Sequence, residues 1–328
     1  MALQTPQHSD RNLALELVRV TEAAAIAAAQ WTGRGNKNAA DGAAVEAMRH
    51  AFDSVSISGT VVIGEGEMDE APMLYIGEKV GQGGPEMDIA VDPLEGTEIV
   101  AKGAANGMAV IALADKGRFL HAPDIYMQKI AVGPGLPQGV VDLDAPTAEN
   151  LRNLARAKKV DVSDLVVCLL DRERHDEIVA ECRRAGARIM LISAGDVAGC
   201  IATSRPEGGV DIYLGSGGAP EGVIAAAALR CVNAQMQCRL LFEDDSQIER
   251  ARGMGLTDPH RKYGIHEIAG GDVMFAATGV TTGPMLRGVL RSEGNGAVTH
   301  SVVMRSKSGT VRFVEAHHDF TIKHWSRA

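Results

Sequence analysis

The sequence predicts an α/β fold, and three observations carry that expectation. After about residue 145, helical and strand patterns alternate strictly: helix 147–157, strand 165–170, helix 175–185, strand 188–192, helix 196–203, strand 210–214, helix 220–231 and strand 236–242. Before it, apolar runs such as Thr60-Val61-Val62-Ile63 and Ile89-Ala90-Val91 are closed by turn residues. The 328 residues are 45% hydrophobic with 37 glycines but only 4% aromatic, so Ala, Val, Ile, Leu and 13 methionines must fill the core. The alternation implies a partly parallel sheet with helices on its faces. Length suggests two subdomains or one large α/β unit, and the change of rhythm places a boundary near residue 160, giving 1–160 and 161–328.

Each element has a local reason. Leu13, Leu15, Leu17, Val18, Val20 and the alanines from 23 to 29 form an apolar stripe, predicting a helix that starts after Asp10 and runs to about Trp31. A second helix is expected over Ala39 to Phe52. Strands are expected at 59–63, 88–91 and 108–114, with Gly81-Gln82-Gly83-Gly84-Pro85 as a loop. Residues 244–262 are polar and read as a surface helix and loop. Strands near 273–277, 299–304 and 309–315 close the chain, the last two joined by Arg305-Ser306-Lys307-Ser308-Gly309.

Charge narrows the partners. A net charge of −9 repels nucleic acid and anionic membranes, so a phosphorylated ligand would need local cations. Cys168, Cys182, Cys200, Cys231 and Cys238 are odd in number and form no CxxC pair; they read as reduced thiols. Residues 1–10 lack the basic head and apolar run of a signal peptide, and no apolar stretch reaches membrane-spanning length. The expectation is a soluble, cytoplasmic protein.

Residues 88–97 are the most informative stretch. An apolar strand runs into Asp92-Pro93-Leu94-Glu95-Gly96-Thr97, where Pro93 and Gly96 shape a turn presenting two carboxylates and a hydroxyl. Upstream, another strand ends in Gly64-Glu65-Gly66-Glu67. Each acid alone has a plainer reading. Asp41, among alanines early in a helix, either points at a metal or satisfies first-turn amides. Glu65 and Glu67 either converge on a site or decorate an acidic loop. Together they suggest more: gathered carboxylates repel one another and raise each other's pKa, and divalent cations remove that cost. Oxygen ligands suit Mg²⁺ or Mn²⁺, which also bind phosphate oxygens.

Further candidates follow strands. Gly215-Ser216-Gly217-Gly218-Ala219-Pro220-Glu221-Gly222 opens a helix, yet Pro220 stands where a dinucleotide loop needs its third glycine, which argues against an NAD-dependent dehydrogenase. The free amides of that helix start could hold an anion, and Glu221 could reach a metal. Arg172, Arg174 and His175 follow a strand, where cations could grip a second phosphate, or they form a solvated turn with Asp171 and Glu173. Gly195-Asp196 is similarly placed. Tyr126 reads equally as core or as sugar-facing, and Lys37 as a phosphate ligand or a surface lysine.

These residues resemble a known family. Asp92-Pro93-Leu94-Glu95-Gly96-Thr97 is similar to the metal motif of the lithium-sensitive phosphatase superfamily. Arg19-Val20-Thr21-Glu22, Ala40-Asp41-Gly42-Ala43-Ala44, Val62-Ile63-Gly64-Glu65-Gly66-Glu67 and 69–78 narrow the match to class II fructose-1,6-bisphosphatases, as do 122–127, Arg174-His175, 195–198 and 217–222. The resemblance implies a layered α/β/α/β/α sandwich that hydrolyses the 1-phosphate of fructose 1,6-bisphosphate in gluconeogenesis. It puts Asp41, Glu65, Asp92, Glu95 and Glu221 at metal positions for Mg²⁺ or Mn²⁺. It puts Thr97, Asp69 and Lys37 at catalytic positions, with Thr97 orienting or activating the water. It puts Glu95, Gly96, Thr97, Tyr126, Arg172, Glu173, Arg174, Gly195, Asp196 and Gly218 around the substrate. It also implies a homo-oligomer, a dimer or tetramer. Two positions depart from the family pattern: Asn36 stands where an acid is usual, and Ala194-Gly195-Asp196 where Asp-Gly-Asp is usual. Loss of a carboxylate at 194 bears on substrate affinity or choice. The rival expectations are a phosphatase for sedoheptulose 1,7-bisphosphate or inositol monophosphate, and a non-catalytic phosphosugar-binding protein.

Overall fold

A computed structural model describes residues 10–66, 73–292 and 295–322. The chain begins with α1 (Asp10–Ala29) and α2 (Lys37–Phe52), followed by β1 (Ser58–Ile63), β2 (Lys79–Val80), β3 (Glu86–Glu95), α3 (Thr97–Lys102) and β4 (Met108–Asp115). Next come β5 (Tyr126–Val132), α4 (Thr147–Lys158), β6 (Val166–Leu170), α5 (Asp176–Ala185), β7 (Arg188–Ile192), α6 (Asp196–Ala202), β8 (Ile212–Gly218) and α7 (Ala219–Cys231). The remainder is β9 (Gln235–Leu240), α8 (Asp245–Gly253), β10 (Tyr263–Gly264), α9 (Ile265–Ile268), β11 (Met274–Gly279), β12 (Leu290–Ser292), β13 (Gly296–Arg305) and β14 (Thr310–Asp319).

Two mixed sheets result. Among the described residues the first runs β12-β13-β11-β4-β3-β1-β2, with β14 on the other edge of β13; β1 and β3 are parallel and their neighbours antiparallel. The second runs β10-β9-β5-β8-β6-β7, parallel only where β6 meets β7 and β8.

Strand periodicity explains the layering. Val61, Ile89, Val91, Ile111 and Leu113 turn to one face of the first sheet and pack with Leu17, Ala24, Met48 and Phe52 of α1 and α2. Their alternates, Ala90, Val110, Ala112 and Phe275, face the middle layer, where they meet α7 and the inner face of the second sheet through Met127, Ala131, Tyr213 and Cys238. On the far side, Ile130, Val132, Leu169 and Leu214 pack under α4 and α5 through Leu151, Leu154 and Val179. The order is helix, sheet, helix, sheet, helix: an α/β sandwich, as expected. Leu15 departs from the anticipated apolar stripe and is exposed.

Helix α7 explains the alanine-rich, aromatic-poor composition. Every residue from Gly222 to Leu229 is buried, because sheets press on the helix from two sides. Small side chains let both sheets approach.

Sheet membership does not change near residue 160. The chain enters the second sheet at β5 and returns to the first at β11, so that boundary would separate β5 from its partner β8. Sequence periodicity missed β5 and α3, and it ended β8 too early: the strand continues through Gly215-Ser216-Gly217-Gly218.

Enlarging the middle layer is expected to be costly. Ala226, fully buried in α7, changed to Leu should destabilise the fold by about 1–3 kcal/mol through overpacking. A thermal melt checks this, and an unchanged Tm would mean that the layer has slack.

Candidate active site

The site lies where the two sheets approach, and each half supplies carboxylates. β1 and β3 run parallel, so Glu65 after β1 and Asp92 and Glu95 at the end of β3 emerge on the same side. The β3–β4 register slips between Asp92 and Glu95, where Pro93 has no N–H to donate. Asp92 Oδ1 accepts from Leu94 N at 3.0 Å, which braces this bulge. Gly96 then takes φ +85°, open to glycine, and starts α3 with Thr97 as its first residue. Asp41 reaches the same region from the first turns of α2 and is one of the charges that act on Glu65.

The second sheet brings Asp196, first in α6, and Glu221, in the first turn of α7. One oxygen from each of Glu95, Asp196 and Glu221 lies within 4.8 Å of the others. Val197 N donates to Glu95 Oε1 at 3.1 Å, tying the start of α6 to the end of β3. Two glycines make room. A Cβ at Gly217 would stand 2.3 Å from Asp196 Oδ2, and one at Gly218 2.0 Å from Glu221 Oε2. The glycines that looked like a loop are therefore strand residues emptied of side chains so that carboxylates fit over them.

The electrostatics follow. Burial, then Asp41, Glu221 and Asp124, push Glu65 up to about 8. Burial, Glu65 and Glu221 raise Asp92, while burial, Asp92, Asp196 and Glu221 raise Glu95. Burial and Asp196 raise Glu221, with Lys129 opposing, and burial alone raises Asp41. Such a set of hard oxygen donors, too crowded to be ionised together, fits a divalent cation. Glu95, Asp196 and Glu221 converge on one ion-sized space, with one Asp196 oxygen already paired to the Lys129 ammonium.

A basic wall adjoins the acids. Arg174 lies 4.7 Å over the Tyr126 ring and donates to Ser216 Oγ (3.1 Å) and Ser216 O (2.9 Å). Arg172 donates to Asp171 O (2.7 Å) and Ser193 O (2.8 Å), holding the turn that leads to Gly195, whose φ is +87°. Both arginines and Tyr126 are exposed, and Glu173 stands between the two arginines in the same turn. Lys37 opens α2, and its Nζ is 3.7 Å from Glu98 Oε1 on α3, the helix that carries Thr97.

Several expectations are revised here. His175 is a buried strut rather than a cation for phosphate: its Nδ1 donates to Leu170 O (2.7 Å), and its Nε2 accepts from Ser216 N (2.8 Å). Burial, with Arg174 and Arg172, holds its pKa below the ordinary value, so it stays neutral. Asn36 caps α2 by accepting from Ala39 N at 3.1 Å, a role that explains a short polar side chain at that position. Asp69 and Glu67 lie outside the described residues. Sequence reasoning missed Lys129, whose ammonium sits 2.5 Å from Asp196 Oδ2, and Asp124, whose charge acts on Glu65 and Glu221.

A layered α/β sandwich with carboxylates pooled between its sheets and arginines beside them is the architecture of a sugar phosphatase. The chain matches, over residues 11–318, the family described as bacterial fructose-1,6-bisphosphatase, glpX-encoded. It is 48% identical over 323 residues to fructose-1,6-bisphosphatase 1 class 2 of Escherichia coli (strain K12), covering 94% of this chain and 95% of that protein. The class 2 fructose-1,6-bisphosphatase of Shigella flexneri shares the same identity and coverage. The chain belongs to the bacterial glpX-encoded fructose-1,6-bisphosphatase family.

The raised acids make a pH prediction for metal-free protein. Between the ordinary 4.5 and about 8, folded Glu65 holds a proton that the unfolded chain has released. Stability therefore falls as pH rises through that window. Metal-free protein should have a lower Tm at about pH 8.5 than at about pH 6, and Mg²⁺ or Mn²⁺ should raise it more at the higher pH. Melting scans with and without chelator test this; a metal-free Tm that climbs with pH would contradict it.

Proposed function

We propose that this chain hydrolyses fructose 1,6-bisphosphate to fructose 6-phosphate and phosphate, as a class II fructose-bisphosphatase of gluconeogenesis. The family supports the reaction, and the observation that carries it is the meeting of Glu95, Asp196 and Glu221 across the seam of the two sheets.

In this reading Asp41, Glu65, Asp92, Glu95 and Glu221 hold Mg²⁺ or Mn²⁺. When bound, the ion supplies positive charge for the phosphate oxygens and the departing alkoxide. The protein's own groups do the rest. Thr97, half-buried at the start of α3, offers its hydroxyl to orient the attacking water, with Lys37 and Asp69 completing the catalytic set. Arg172 and Arg174 face the distal phosphate, the pair's bonds to backbone oxygens holding both guanidinium groups in place. Tyr126 supports Arg174 by cation–π contact. Glu173, Glu95, Gly195 and Asp196 line the sugar, with Gly96 and Gly218 in the adjoining backbone. Ala194 leaves one fewer hydroxyl acceptor there, which makes sedoheptulose 1,7-bisphosphate the comparison substrate of most interest.

Location and assembly belong to the same proposal. All five cysteines are free and buried, in keeping with a cytoplasmic protein, and among the described residues no helix is long and apolar enough to cross a membrane. We place the chain in a homo-oligomer, a dimer or tetramer. Edge strand β7 exposes Met190 and Leu191, apolar surface that such an assembly can bury.

Phosphate release from fructose 1,6-bisphosphate tests the reading directly. Activity should require Mg²⁺ or Mn²⁺ and vanish with chelator. Thr97→Ala should lower kcat by at least about 100-fold with KM little changed. Turnover that survives chelation, or a Thr97→Ala enzyme with unaltered kcat, would contradict it.

A further inference from the structure

We propose that Lys129 is a built-in cation of the carboxylate cluster, a positioning residue that anchors Asp196 and limits how strongly the cluster draws a divalent ion. The inference rests on reading that cluster as the metal site.

Lys129 sits mid-strand on β5, its side chain 0% exposed, so it meets neither solvent nor substrate. Its alternates on the same strand face, Met127 and Ala131, are ordinary members of the middle-layer core. A charge at that point of an apolar face needs a partner, and Asp196 Oδ2 supplies it at 2.5 Å. The route is kept clear by two glycines. A Cβ at Gly222 would stand 3.1 Å from Lys129 Cε and 2.2 Å from Met127 Sδ, and one at Gly217 3.2 Å from Lys129 Nζ. Gly217 therefore serves the lysine as well as Asp196, while Gly222 leaves room for the lysine stem and Met127.

Glu95, Asp196 and Glu221 bring three carboxylates within one ligand-sized volume, and Lys129 is the ammonium hydrogen-bonded to one of them. One Asp196 oxygen is committed to Lys129, so Asp196 is held at a fixed place beside the ion rather than free to close on it. The same positive charge opposes an arriving cation. Such an arrangement favours an ion bound firmly enough to act and loosely enough to exchange, and it keeps Asp196 oriented for the substrate.

The test uses the full chain stripped of metal. Lys129→Met and Lys129→Gln are titrated with Mn²⁺ alone by calorimetry and then assayed with fructose 1,6-bisphosphate. Loss of the opposing charge should tighten Mn²⁺ binding about tenfold, while loss of the Asp196 anchor raises KM more than it lowers kcat. The double variant Lys129→Met, Asp196→Asn removes both charges and should bind Mn²⁺ with near wild-type affinity. If the single variants do not fold, Asp196→Asn against the double variant makes the same comparison, and the double variant should bind Mn²⁺ more tightly. Mn²⁺ affinity that is unchanged or weakened when Lys129 is replaced overturns the proposal. A wild-type chain that neither binds Mn²⁺ nor releases phosphate would remove the metal-site reading itself, and this inference with it.

Discussion

Repulsion among buried carboxylates is the constraint on which this structure turns. Folding brings Asp92, Glu95, Asp196 and Glu221 out of water and towards one another, and Asp92, Glu95 and Glu221 then resist ionisation. A core tolerates that only if something neutralises the charge. Protons can do it, a lysine does part of it, and a divalent cation does it while leaving positive charge for phosphate. The hydrolytic chemistry therefore draws on the same electrostatic tension that the fold must contain.

The architecture contains it by placing acids at strand ends and helix starts rather than inside the layers. Glu65 and Glu95 follow or end strands of the first sheet, and Asp196 and Glu221 begin helices above the second. The hydrogen bond from Val197 N to Glu95 Oε1 crosses the seam and fixes one half relative to the other. Below it, α7 separates the sheets with alanines, setting their spacing and hence the distance between carboxylates. Glycines at 217 and 218 then remove the side chains that would otherwise occupy that space. Packing and chemistry are adjusted to each other within a few residues.

Much of this was legible in the sequence. The turn at 92–97 declares itself through Pro93 and Gly96, and the helix start at 219–221 through its glycines and Pro220. The layered sandwich follows from resemblance together with strand and helix periodicity. What stayed hidden depends on tertiary partners. β5 was not recognised because Lys129 breaks its apolar alternation, and that lysine makes sense only beside Asp196, 67 residues away. His175 looks like a third cation next to Arg174, yet its two ring nitrogens are taken up by Leu170 and Ser216. The return of the C-terminal strands to the first sheet leaves no local signal either, since β11 pairs with β4 across more than 150 residues of chain.

The central claim is that metal and protons compete for one set of carboxylates. Calorimetric titration of Mn²⁺ into chelator-stripped protein at neutral pH, repeated in buffers of different ionisation enthalpy, measures the protons displaced. The account predicts release on the order of one proton or more per protein chain, abolished together with Mn²⁺ binding when Glu95 and Glu221 are both changed to Gln. Binding without proton release, or binding that survives the double substitution, would contradict it.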